Sequence, residues 1–400
     1  MRSADRSFLA LALALAACGG GGGGSGPSSS SSYVLPVSVD GAHCDPTNLY
    51  VNKPCVAVTL CTPGTSSCQT IDDVLLDTGS YGLRLFKQVV TVPLTQVSSG
   101  AGALASCAQF GDGSADWGPV MTATVRLGNA PGVTTPIQVI DSTYASAPAG
   151  CANLDTGPSQ ALFNGILGVG VFQQDCGEPC VTDDTLGFYY SCVGTTCTGA
   201  TAPLADQLQN PVSLLPGDGN GLVVSLPAVA AGGTGSVEGS VLLGIGTHSD
   251  NGPGTARPYP VDPGIGTLTT RLTTAGGTTD IAGSFLDTGS NGYFFAPPAA
   301  SGLTTCPVPD DAWYCNTPAL ALSAANAGTD GTHGPAVGFL IGDYDQLLSS
   351  PTSAVFVDIG GTALPGDGFD WGLPFYLGRK VFVGIEQRSS SLGTGPYVAY

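Results

Sequence analysis

Leu75-Leu76-Asp77-Thr78-Gly79-Ser80 and Phe285-Leu286-Asp287-Thr288-Gly289-Ser290 are two copies of one pattern, an apolar pair followed by Asp-Thr-Gly-Ser. At average residue usage a given four-residue string arises by chance at about 10⁻⁵ per position. The duplication also extends outward. Each copy has Gly two residues after its Ser (Gly82, Gly292), followed by an apolar run: Leu83-Arg84-Leu85-Phe86 in the first and Tyr293-Phe294-Phe295 in the second. An Asp-Gly turn on the surface would not need a buried lead-in. Two buried copies of one carboxylate turn can instead form a paired-carboxylate site, with Asp77 from one half of the chain and Asp287 from the other.

Composition points to many short strands. Sixty Gly, thirty Pro, 10% charged and 42% hydrophobic residues leave little room for long helices. Val56-Ala57-Val58-Thr59-Leu60, Met121-Thr122-Ala123-Thr124-Val125-Arg126-Leu127 and Gly266-Thr267-Leu268-Thr269-Thr270-Arg271-Leu272 are β-rich stretches near Gly, Pro or Asn. The expectation is an all-β chain with two lobes, 33–215 and 216–400, and a seam in the Pro- and Gly-rich stretch Asn210 to Gly221. A net charge of −19 argues against nucleic acid or an anionic surface as partner.

The N-terminus reads as an export signal. Arg2 and Arg6 precede an apolar stretch, Phe8 to Ala17, that is too short to span a bilayer as a helix. Its end, Leu15-Ala16-Ala17-Cys18, resembles a bacterial lipobox, in which Cys18 is lipidated and becomes the new N-terminus. Residues 1–17 are then the signal peptide, and 18–32 the lipidated Cys with a flexible Gly/Ser tether. Gly19 resembles the residue that follows the Cys in lipoproteins sent to the outer membrane. No other apolar run is long enough to cross a membrane.

Thirteen cysteines less Cys18 leave twelve, an even number in an exported chain. Closeness in sequence pairs Cys61 with Cys68, Cys176 with Cys180, Cys192 with Cys197 and Cys306 with Cys315. Elimination then pairs Cys44 with Cys55 and Cys107 with Cys151. A zinc site from Cys176, Cys180, Cys192 and Cys197 is the rival reading, which an oxidising compartment disfavours.

Beyond the doubled motif, further segments follow in a set order. Phe110-Gly111-Asp112-Gly113-Ser114 comes after the first Asp-Thr-Gly-Ser, then Phe163-Asn164-Gly165-Ile166-Leu167-Gly168, then Gly239-Ser240-Val241-Leu242-Leu243-Gly244. Trp371-Gly372-Leu373-Pro374-Phe375-Tyr376 and Val381-Phe382-Val383-Gly384-Ile385 close the chain. In this order the chain resembles the pepsin-like aspartic proteases across nearly all of 33–400, and is also similar to a group of bacterial lipoproteins of unestablished function. The resemblance implies a bilobal fold with a cleft between the lobes and a flap hairpin carrying Phe110, Gly111 and Asp112. It further implies that Thr78 and Thr288 cross-brace the two turns, and that Ser80 and Ser290 bond the outer carboxylate oxygens.

The chemistry suits these residue types. Two adjacent carboxylates cannot both ionise easily, so they share a proton and titrate as a pair. The ionised one takes a proton from a water that attacks a peptide carbonyl, and the protonated one donates to the carbonyl oxygen. This requires neither metal nor cofactor. Gly79 and Gly289 permit the tight turns. The expected activity is endopeptidase cleavage of a peptide or protein substrate by a membrane-anchored monomer.

Four residues depart from the family pattern. Phe110 stands where the flap usually has Tyr, and Arg84 where its Trp partner is usual, with Trp117 a candidate substitute for that packing. Asn164 replaces a common Asp, and Asp370 fills a normally apolar place before Trp371. These departures sustain the alternative of a weakly active or inactive binding or inhibitor-like lipoprotein on the same scaffold. Other constellations carry less. Asp155-Thr156-Gly157-Pro158 lacks the apolar pair and the Ser, and reads as a loop turn. His43, His248 and His333 read as surface loop residues, no Gly-x-Ser-x-Gly elbow occurs, and Gly168-Val169-Gly170 lacks the third Gly of a dinucleotide site.

Overall fold

Val74-Leu75-Leu76, the lead-in to the first Asp, is buried on both faces because its strand, Cys68–Asp77, is flanked on both sides. Pro54–Cys61 pairs with it antiparallel, and Gly165–Val169 pairs with it in parallel. Gly165–Val169 also pairs antiparallel with the outgoing strand Tyr81–Phe86, so it threads between the two arms of the Asp77 turn. Gly168 lies opposite both Asp77 and Gly82, and a Cβ there would stand 2.4 Å from the backbone nitrogen of Tyr81. Only glycine fits.

The second motif repeats this construction. Gly277–Leu286 leads into Asp287 and Tyr293–Phe294 leads away. Asp370–Trp371 lies between them, parallel to the first and antiparallel to the second. A Cβ on the following Gly372 would stand 2.0 Å from the carbonyl oxygen of Gly292.

The computed structural model describes residues 31–47, 50–363 and 366–400. The expected signal peptide 1–17, Cys18 and the tether up to residue 30 lie outside the described residues. The chain is all-β, 44% strand and 7% helix, with barrel-like sheets. A 17-stranded sheet and a seven-stranded sheet hold the first and second motifs respectively. The large sheet draws on both sides of residue 215, since Tyr33–Val39 pairs along its length with Val237–Leu243. No helix among the described residues is long and apolar enough to cross a membrane.

Val56–Leu60 lies within the strand Pro54–Cys61, and Met121–Leu127 ends the strand Ala115–Leu127. The third expected strand starts later, at Leu268, because Gly266 sits at φ +73° and its N–H closes a turn onto the carbonyl of Asp262. The stretch from Asn210 begins with a packed corner. The Asn210 side chain is fully buried, accepts from the N–H of Val212 at 3.0 Å and donates to the carbonyl of Gly170 at 2.9 Å.

Six disulfides join Cys44–Cys55, Cys61–Cys68, Cys107–Cys151, Cys176–Cys180, Cys192–Cys197 and Cys306–Cys315, each pair as expected from the sequence. The four cysteines of the rival zinc reading are therefore consumed in two bridges.

Candidate active site

The two Asp-Thr-Gly-Ser turns meet tip to tip. The N–H of Thr78 donates to the Thr288 hydroxyl at 3.1 Å, and the N–H of Thr288 donates to the Thr78 hydroxyl at 3.0 Å. Each hydroxyl donates onward across the contact, Thr78 to the carbonyl of Leu286 at 3.1 Å and Thr288 to that of Leu76 at 2.7 Å. A hydroxyl has one hydrogen, and that of Thr78 is spent on Leu286. The Tyr376 hydroxyl, 2.8 Å away, must therefore be the donor to Thr78. Both threonines are buried, so none of these groups has water as a substitute.

The brace sets the carboxyls side by side. The N–H of Gly79 lies 2.7 Å from Asp77 Oδ1 and 3.2 Å from Asp287 Oδ1, so one donor faces both. Gly289 donates to Asp287 Oδ1 at 2.7 Å. The outer oxygens accept from Ser80 at 2.5 Å and Ser290 at 3.0 Å. The shared Gly79 N–H brings the Asp77 and Asp287 carboxyls close together. Burial first, then the charge of Asp77 and that of Asp370, push the Asp287 carboxyl well above the usual carboxylate range. A Cβ on Gly79 would stand 2.7 Å from Asp287 Cγ, so glycine here is set by the approach of the opposite carboxyl.

Strands Gly102–Gln109 and Ala115–Leu127 form the hairpin expected of the flap, with Phe110, Gly111 and Asp112 in its turn. The Asp112 carboxylate accepts from the N–H and hydroxyl of Ser114 at 2.9 and 2.8 Å and so shapes the tip. Phe110 packs on the apolar cluster of Leu75, Phe86, Ile140, Phe163 and Ile166, together with Tyr50. Trp117 does not take that place. It is fully buried opposite Cys107 in the hairpin, against the Cys107–Cys151 disulfide and Tyr190. Arg84 is also buried, hydrogen-bonded to Gln138 at 2.8 Å and to Asp175 at 3.1 Å.

Tyr50 is the main residue that sequence reasoning missed. Its hydroxyl donates to the carbonyl of Gly289 at 3.3 Å, and it feels the charges of Asp287, Asp112, Asp77 and Asp370. No local signal marks it, because it lies 27 residues before Asp77 in a loop between strands.

Residues 29–400 match the family described as "Protein of unknown function (DUF3443)". The chain belongs to this family. No curated protein shows a significant match. The stretch shared with DUF3443 contains both turns, the hairpin, Tyr50 and all twelve bridged cysteines.

The remaining sequence candidates sit apart from the DUF3443 chain's paired turns. Asp155 lies in a loop, as expected, but is buried beside the turn end of the hairpin, its N–H bonded to the carbonyl of Ala115 at 2.9 Å. His248 is not a free surface residue: its Nε2 lies 2.9 Å from Asp218 Oδ1, with both side chains largely buried. His43 faces Asp72 at 3.4 Å, and His333 is exposed. Asn164 donates to the carbonyl of Asp72 at 2.9 Å, which holds the start of the first threading strand.

Proposed function

We propose that the protein is a pepsin-like aspartic endopeptidase with two lobes, 33–215 and 216–400, and a substrate cleft over Asp77 and Asp287. The observation that carries this reading is the reciprocal brace, which presents two carboxyls to each other and to one shared N–H. Asp77 acts as the base that takes a proton from the attacking water. Asp287, whose carboxyl burial and the charge of Asp77 push up, donates to the carbonyl oxygen of the scissile bond. The Gly N–H groups hold the inner oxygen and the Ser hydroxyls the outer oxygen of each carboxyl, so both are fixed in place before substrate arrives. The substrate is a peptide or protein chain, cleaved by a monomer without cofactor or metal. Lipid on Cys18 tethers the enzyme to the bacterial envelope, at the outer membrane.

The test is cleavage of a diverse peptide library by the purified protein from about pH 3 to about pH 7, a range bracketing carboxylate titration. Asp77→Asn and Asp287→Asn should each lower kcat by at least about 10³-fold, and the double variant should be little worse, because the pair acts as one unit. Pepstatin should inhibit the wild type. Absence of Asp-dependent cleavage at every pH would leave a binding protein on the same scaffold.

A further inference from the structure

Gln138, on the strand Val133–Ile140, is fully buried and spends both hydrogens of its amide on the hairpin. Its nitrogen donates to the carbonyl of Ser106 at 2.8 Å and to that of Asp116 at 3.1 Å. Ser106 belongs to the incoming strand, Gly102–Gln109, and Asp116 to the returning one, Ala115–Leu127. One side chain thus grips both strands, close to the turn that carries Phe110, Gly111 and Asp112.

The other end of the amide faces the first Asp-Thr-Gly-Ser turn. Gln138 Oε1 accepts from Arg84 Nη1 at 2.8 Å, and Arg84 stands opposite Gln138 in the parallel pairing of Tyr81–Phe86 with Val133–Ile140. Tyr81–Phe86 is the strand that leaves Ser80. A guanidinium can only donate, so Arg84 decides which end of the amide is oxygen and aims the nitrogen at the hairpin. Arg84 is itself held. Its Nη2 donates to Asp175 Oδ2 at 3.1 Å, the Tyr189 hydroxyl donates to Asp175 Oδ1 at 2.5 Å, and the N–H of Leu208 donates to that hydroxyl at 2.8 Å. Arg84, Gln138 and Tyr189 are all buried, so water does not compete for these bonds.

We propose that Arg84 and Gln138 are positioning residues for the hairpin, tying both of its strands to the outgoing arm of the Asp77 turn. Apolar packing alone tolerates sliding along a strand, whereas directional bonds to two chosen carbonyls do not. The tip that they fix reaches both halves of the site. Phe110 shares an apolar cluster with Leu75, the lead-in to Asp77, and with Tyr50, whose hydroxyl bonds the carbonyl of Gly289.

The consequence for cleavage rests on the endopeptidase reading, but the tie itself does not, so two measurements are needed. Gln138→Glu keeps the shape of the side chain and the acceptor for Arg84, and removes the two amide hydrogens. Hydrogen exchange of the purified protein, read peptide by peptide, should quicken about tenfold or more across 102–127 and stay as in the wild type across the Asp287 turn. Unchanged exchange in the hairpin would overturn the proposal whether or not the protein cleaves anything. Should Gln138→Glu fail to fold, Arg84→Lys decides. A single ammonium in place of the fork cannot hold Gln138 and Asp175 as the guanidinium does, and the same hairpin peptides should quicken, by less. No change in them would overturn the tie.

In the second measurement, peptide cleavage by Gln138→Glu should show kcat lowered about tenfold with KM little changed. Arg84→Lys should show a smaller fall. In an active enzyme, a loosened hairpin with unchanged kcat would overturn the positioning role. A loosened hairpin in a protein that cleaves no peptide would uphold the tie and sink the endopeptidase reading alone.

Discussion

Thr78 and Thr288, 210 residues apart, each lend a backbone N–H to the other's hydroxyl, at 3.1 and 3.0 Å. Neither turn can close its buried hydrogen bonds alone, so the two halves of the chain are folded onto each other through the site itself. Thr288→Val would strip partners from the N–H of Thr78 and the carbonyl of Leu76. Denaturant titration should show a loss of about 2–4 kcal/mol. Thr78→Val should cost more, because Tyr376 also loses its acceptor. The double variant should fall short of the sum, since both substitutions break one network. Independent, additive losses would contradict a shared brace.

Tyr50→Phe keeps the ring against the cluster of Leu75, Phe86, Ile140, Phe163 and Ile166 and removes the hydroxyl that reaches Gly289. The bond is long, so the melting temperature should barely move. If the hydroxyl helps fix the Asp287 turn for chemistry, kcat should fall roughly three- to tenfold. A large stability loss with unchanged turnover would recast Tyr50 as packing alone.

Asp116 lies fully buried close to the hairpin turn, opposite Ala108, and neither carboxyl oxygen has a hydrogen-bond partner. Burial raises its carboxyl to about 7, against the pull of Arg84. The folded value exceeds the unfolded one of about 3.9, so no penalty exists at low pH, and it grows as pH rises toward 7. Asp116→Asn should therefore stabilise the protein by roughly 1–3 kcal/mol at pH 8 and leave it nearly unchanged at pH 4. A stabilisation equal at both pH values would exclude titration as its cause.

Cys107–Cys151 spans 44 residues and Cys61–Cys68 spans 7. Loop-closure entropy assigns roughly 4 kcal/mol to the first and roughly 2 kcal/mol to the second. Replacing each pair with Ala should give that order of destabilisation. Thiol labelling of the denatured, unreduced Cys18→Ser protein should find no free cysteine, and two or more labelled sites would break the six-bridge scheme.

Cys18→Ser should release the protein from membranes or send it elsewhere in the envelope, as expected if one lipidated Cys provides the anchor. Persistence in the membrane fraction after a high-salt wash, in a variant lacking residues 1–18, would point to a second attachment.

Much of this was legible in the sequence for a physical reason: the informative features are local. Asp-Thr-Gly-Ser after an apolar pair specifies a buried strand ending in a tight turn, and both copies form that unit. Cysteines four to eleven residues apart can bridge with little chain between them, which is why closeness and elimination sufficed for the disulfides. Gly168 and Gly372 sit in short threading elements whose order along the chain already suggested their role.

Tertiary structure decided what depends on register between distant segments. Sequence spacing cannot bring Tyr50 to Gly289, 239 residues away, or Tyr376 to Thr78, 298 away. It could flag Asp370 as out of place but not fix the face it occupies, because a one-residue slip of Asp370–Trp371 against Phe285-Leu286 would turn the carboxyl to the other face. Nor could it tell that the Asp287 carboxyl is pushed well above the usual carboxylate range. That follows from how deeply the surroundings crowd Asp287 and how close Asp77 and Asp370 bring their charge, both properties of the folded chain.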